Sequence, residues 1–148
     1  MRPILVSIII ASILGFSSCK KDDNSTLSTI AEVSSSVSSG TWRITYFMDS
    51  GTNKTNLFNG YAFTFNSNGS ISAVNGLTSV NGSWSVTNSD STDDSPSDLD
   101  FNILFTTPVA FEDLSDDWDV LEATNTKIKL VDVSGGNGGT DYLTFEKN

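Results

Sequence analysis

Histidine is absent from this chain of 148 residues, cysteine occurs once and proline three times. The lack of histidine removes the side chain that most often serves as general base or metal ligand near neutral pH. With a single cysteine as well, His/Cys metal centres and Ser–His or Cys–His catalytic pairs are excluded. One cysteine cannot form an internal disulfide, so no covalent framework holds the fold. Basic residues are also scarce: 8 Lys and Arg against 18 Asp and Glu leave a net charge of −10. Such a surface repels phosphate backbones and argues against nucleic acid as a partner. No Gly-x-Ser-x-Gly elbow, P-loop or dinucleotide fingerprint occurs. The expectation is a protein that is not an enzyme and carries no cofactor.

A long apolar run is missing too. Ile4 to Phe16 is mostly apolar but short for a bilayer span, and it follows the basic Met1-Arg2 start, as in a secretory signal. It ends in Phe16-Ser17-Ser18-Cys19. This resembles the lipobox of bacterial lipoproteins, with phenylalanine where leucine is usual. The resemblance implies that Cys19 is acylated and becomes the mature N-terminus. Lys20-Lys21-Asp22-Asp23 is similar to the lysine-plus-two-acids export signal of surface lipoproteins in the Bacteroidota. It implies an outer-membrane protein, lipid-anchored and facing the cell exterior. The chain then divides into a signal peptide (1–18), an acylated cysteine with a Ser/Thr-rich tether (19–38) and a folded domain (39–148). Leu27, Ile30 and Ala31 have helical spacing, as do Val33 and Val37. The tether is therefore expected as a flexible spacer with one or two helical turns packed on the domain.

From Gly40 the period changes to 2. Trp42, Ile44, Tyr46 and Met48 alternate with Arg43, Thr45 and Asp49, with Phe47 among the latter, which predicts a half-buried strand with the first four on one face. Tyr61–Phe65, Ser70–Val74, Val80–Thr87, Leu99–Phe105, Trp118–Ala123, Lys127–Val133 and Thr140–Glu146 follow as strands. Asn66-Ser67-Asn68-Gly69 is a tight hairpin, because Asn-Gly accepts positive φ. Phe111 to Leu114 reads as a helical turn with those two residues on one side. Eight short strands with tight turns predict an all-β fold, an up-and-down antiparallel barrel that leaves no exposed sheet edge.

The residues Gly40-Thr41-Trp42, Tyr61-Ala62-Phe63-Thr64-Phe65, Gly82-Ser83-Trp84, Leu114 to Val120 and Tyr142 to Lys147 together resemble the lipocalin-like lipoproteins of the Bacteroidota, within the calycin superfamily. The resemblance covers about residues 39–148 and implies a monomeric barrel module with a small apolar or amphipathic ligand. Lipocalins pack an arginine of the last strand over the first-strand tryptophan; here the last strand offers Lys147.

The candidate sites follow from this frame. Ile71 and Ala73 on the short third strand, with Gly82 nearby, are small enough to leave an apolar cavity on the order of 300 Å³. Phe58, Phe111 and Leu114 lie on predicted loops and would flank its mouth. Carboxylates cluster at Asp90–Asp100 and Glu112–Asp119. Their plainest role is solubility; if Ca²⁺ binds, Asp116, Asp117 and Asp119 are its first ligands. Asp90-Ser91-Thr92 matches the O-glycosylation pattern of exported proteins of that phylum, with Ser91 as acceptor. The runner-up function is a structural or interaction lipoprotein whose loops meet a protein or glycan.

Overall fold

The computed structural model describes residues 25–88, 99–134 and 139–148. The signal, Cys19, Lys20 to Asp23, Ser91 and most of the first acidic cluster lie outside those residues. The strands are β1 (Trp42–Asp49), β2 (Thr52–Asn53), β3 (Ala62–Phe65), β4 (Ser70–Asn75), β5 (Thr78–Asn88), β6 (Leu99–Leu104), β7 (Asp116–Ala123), β8 (Lys127–Ser134) and β9 (Gly139–Lys147). They form one antiparallel sheet in the order β2-β1-β3-β4-β5-β6-β7-β8-β9, which closes through β1–β9. The result is the expected up-and-down barrel of eight strands, with the two-residue β2 added against the end of β1.

The first strand departs from strict alternation. β1 pairs with β9 from Trp42↔Lys147 to Met48↔Tyr142, but the register shifts between Ile44 and Tyr46. The extra residue, Thr45, is a β-bulge, and a bulge inverts the inward phase beyond it. Trp42 and Ile44 therefore point inward as expected, while Phe47 is fully buried and Tyr46 is 39% exposed. The bulge thus turns Tyr46 and Met48, expected on the inner face with Trp42, away from it.

The helical turns expected in the tether are α1 (Ile30–Val37). Thr29 caps it: its hydroxyl accepts from the Glu32 amide at 3.2 Å, and the Glu32 carboxylate accepts from the Thr29 amide at 3.2 Å. This reciprocal capping box satisfies donors that a helix start otherwise leaves unpaired. Val33 and Val37 are buried against the barrel core. The Leu27 amide donates to the Ala123 carbonyl at 2.8 Å and fixes the approach to the helix. α1 thus stoppers one end of the barrel. A second short helix, α2 (Val109–Glu112), crosses the opposite end.

Each of the three tryptophans donates its indole N–H to a carbonyl of a covering segment. Trp42 reaches Val37 of α1 at 2.9 Å, Trp84 reaches Asn66 of the β3–β4 turn at 3.0 Å, and Trp118 reaches Leu114 after α2 at 3.0 Å. A buried indole needs such a partner, so the same residues that fill the core fasten its covers.

Candidate functional site

The α2 end brings Phe58, Phe111 and Leu114 together, and all three are buried. Phe58 lies in a 3-10 turn (Thr55–Phe58) tied to β1: the Phe47 amide donates to the Thr55 hydroxyl at 2.8 Å. Phe111 is carried inward by α2, where it meets Phe58 at 5.2 Å between ring centroids, Phe105 at 5.2 Å and Tyr61 at 5.1 Å, each edge to face. The expected mouth is therefore a plug.

The interior below is filled by the same chemistry. Ring contacts run without a break from Trp84 to Phe65, Phe145, Phe63 and Phe111, at centroid distances of 5.4, 5.4, 5.4 and 6.2 Å. Ile71 and Ala73 are fully buried within this packing. Gly82 leaves no void. A Cβ there would stand 2.3 Å from the Leu104 carbonyl oxygen and 2.7 Å from the ring of Phe105. The glycine admits the close approach of β6, and Phe105 occupies the space expected to be a cavity. An eight-stranded barrel is just wide enough for its own side chains to fill it.

The hollows lie on the outside. One of about 350 Å³ is bordered by Ser83, Asn102, Leu104, Ser115 and Asp116. Another of about 510 Å³ runs between α1 and β5, with Ser34, Ser38 and Ser67 above Trp84 and Val86. A third of about 760 Å³ lies by Leu27, Glu32, Asn125 and Lys147. None of them is bordered by Phe58, Ile71, Ala73, Phe111 or Leu114.

Among the described residues, several aspartates gather at the α2 end. Lys54 bridges two carboxylates, donating to Asp49 and, at 2.7 Å, to Asp113. The hydrogen bond from Lys54 holds the Asp49 carboxyl below its usual range, and the two acids raise the lysine. Asp141 accepts from the Ser50 amide at 2.7 Å. Asp116 is different: burial, then a side-chain hydrogen bond with Asp117 and the charge of Asp132, push its carboxyl up to about 6.

Glycoside hydrolysis uses a pair of carboxyl groups, but they must stand about 5–9.5 Å apart across the substrate. Asp116 and Asp117 are instead neighbours in the chain, and the Asp117 amide donates to the Asp116 carboxylate at 2.9 Å. Asp116, Asp117 and Asp119 lie on β7, where strand alternation sets Asp116 on the face opposite to Asp117 and Asp119. Asp117 is exposed, whereas Asp119 is buried in register with Val131. Among the described residues no three Asp, Glu, Cys or His side chains gather in a geometry that could hold a metal ion. No described helix is long and apolar enough to cross a membrane.

No family model matches this chain, and no curated protein does. Among solved structures it is similar to the crystal structure of a DUF4847 family protein from Bacteroides vulgatus ATCC 8482. The two are 18% identical with a TM-score of 0.45, over 76% of this chain and 94% of that one.

Proposed function

We propose that this chain is an exported lipoprotein of the lipocalin-like kind, anchored in the outer membrane through Cys19 and facing outward. It works as a non-enzymatic interaction module and not as a carrier. The observation that carries this reading is the unbroken run of rings from Trp84 to Phe111, which occupies the volume a carried ligand would need. The plug of Phe58, Phe111 and Leu114 and the stopper of α1 support it from the two ends. Anchoring rests on the sequence alone: two or more acyl chains, at about 0.8 kcal/mol per buried methylene, hold a protein of this size stably.

A ligand-binding reading keeps one observation in its favour. The hollow of about 510 Å³ beside α1 has an apolar floor of Trp84 and Val86 and lies within the size range of small-molecule sites. Mass spectrometry of the protein purified from its native membrane separates the two. The interaction reading expects a mature chain that begins at acylated Cys19 with no stoichiometric small molecule. A retained apolar compound would return the function to ligand binding. Cys19→Ala should release the protein from the membrane, and retention of that variant without acyl incorporation would refute the anchor.

A further inference from the structure

The large apolar side chains that are more than half exposed, Leu57, Leu77, Leu104, Val109 and Val133, gather towards one end of the barrel, whereas Ile30 and Leu121 lie apart from it. Leu57, Leu77, Leu104 and Val109 all belong to segments at the α2 end, and each is more than half exposed, with Leu77 fully so. Those segments are interlocked. The Asn75 side chain donates to the Asn59 carbonyl at 3.2 Å, which joins the β4–β5 turn of Leu77 to the loop after Leu57. Phe58 against Phe111, and Lys54 against Asp113, join that loop to the α2 segment of Val109. Phe105 against Phe111 ties in the end of β6, where Leu104 sits. Interlocked segments thus present several unburied apolar groups at one end of the barrel, as interaction sites do.

The same end is strongly acidic. Asp49, Asp113, Asp116, Asp117, Asp132 and Asp141 lie at the strand ends and loops there, with Lys54 among them. The basic residues Arg43, Lys127 and Lys147 sit at the α1 end instead. They are engaged locally: Arg43 and Lys127 face Glu146 at 3.4 and 3.8 Å, and Lys147 covers Trp42. The hollow of about 350 Å³ combines the two characters of the α2 end, because Leu104 and Asp116 both border it. Leu104 with a carboxyl beside it, among Ser83, Asn102 and Ser115, suits a side chain that has an apolar stem and a cationic head.

We propose that the α2 end is a docking surface for a basic, apolar polypeptide segment of a partner protein, with a lysine or arginine side chain seated in the hollow between Leu104 and Asp116. Charge complementarity selects this occupant. Anionic lipid headgroups and nucleic acids meet repulsion from the acids. Among the described residues, a second copy of the chain would bring either the same acids or basic residues already engaged by Glu146, Glu122 and Trp42. The proposal rests on the interaction reading above and names its partner class.

The test is titration of the isotope-labelled protein with the peptide acetyl-Leu-Arg-Leu-Arg-Leu-amide, followed by backbone amide shifts. Two control peptides carry Gln or Glu in place of both arginines. The expected result is saturable shifts at Leu57, Leu77, Leu104, Val109 and Asp116, weakening with salt. Asp116→Asn should weaken binding roughly tenfold, the size of one charge-assisted hydrogen bond. Leu77→Ser, at a fully exposed position, should weaken it without altering the fold. The absence of saturable binding would overturn the proposal. So would equal binding of the Gln or Glu peptide, or shifts confined to the serine-lined hollow beside α1. Failure here leaves the acyl and ligand masses unchanged, so it is distinguishable from failure of the carrier-versus-interaction reading.

Discussion

The ammonium of Lys147 lies 5.1 Å from the ring centroid of Trp42. The last residues of β9 thereby lock onto the first residue of β1, at the seam where the barrel closes. The same ammonium donates to the Asn125 carbonyl at 3.2 Å, so the β7–β8 turn joins the arrangement. A cation over an indole contributes about 0.5–2 kcal/mol, more as it is desolvated. Trp42 is fully buried and Lys147 half-buried, which places this pair above the exposed limit.

Lys147→Ala should therefore destabilise the fold by about 1–2 kcal/mol in urea denaturation, while Lys147→Arg should remain near the parent. Arginine preserves the cation and the stem. Equal stability of the alanine variant would mean the seam closes on backbone pairing alone.

The helix that covers Trp42 offers a second test. Thr29→Ala removes one half of the capping box and should cost about 1 kcal/mol. Val33→Asp places a charge against the buried core and should cost several times more. If both variants unfold at the parent's urea midpoint, α1 is a passenger on the barrel and not part of its cooperative unit.

These elements differ in how legible they were. The strands and the hairpin at Asn68-Gly69 follow directly from alternation and turn chemistry. Gly69 has φ +83, and its amide donates to the Asn66 carbonyl at 2.9 Å. Thr29-Ile30-Ala31-Glu32 has the S/T-x-x-E form of a capping box, a signal the serine-rich composition around it masks. Serine competes with helix hydrogen bonds only where nothing packs; here Val33 and Val37 bury against the core and outweigh that preference. The bulge at Thr45 had no sequence signal, since both Tyr46 and Phe47 are aromatic and either phase looks apolar. The cavity was misplaced because a small residue reads as empty space in a sequence. In three dimensions Gly82 is the space that Phe105 and the β6 backbone require.

Gly82→Ala checks that last statement. The new methyl must displace a backbone carbonyl and a buried ring, neither of which is the free end of a flexible chain. Overpacking of this kind costs about 1–3 kcal/mol. Double substitution with Phe105→Leu should recover part of the loss, because it returns volume beside the methyl. A single variant as stable as the parent would show that β6 can move away freely.

Asp116 supplies a prediction with a sign. In the folded chain its carboxyl holds a proton up to about pH 6, against a reference value of 3.8, chiefly because it is buried and then because Asp117 and Asp132 lie near it. Its folded pKa is raised, so the folded state binds more protons than the unfolded state between those values. Linkage then requires that stability fall as pH rises through that window. Below about pH 4 both states are protonated and the penalty is absent; above about pH 6 it is complete. Asp116→Asn keeps the shape of the protonated group and removes the charge. It should melt at a higher temperature than the parent at pH 7.5, and the gap should close on acidification toward pH 4. Thermal melts of the two proteins across pH 4–8 measure this directly. A gap that stays constant with pH would place the benefit in packing, and a gap that widens toward acid would reverse the assignment of the raised carboxyl.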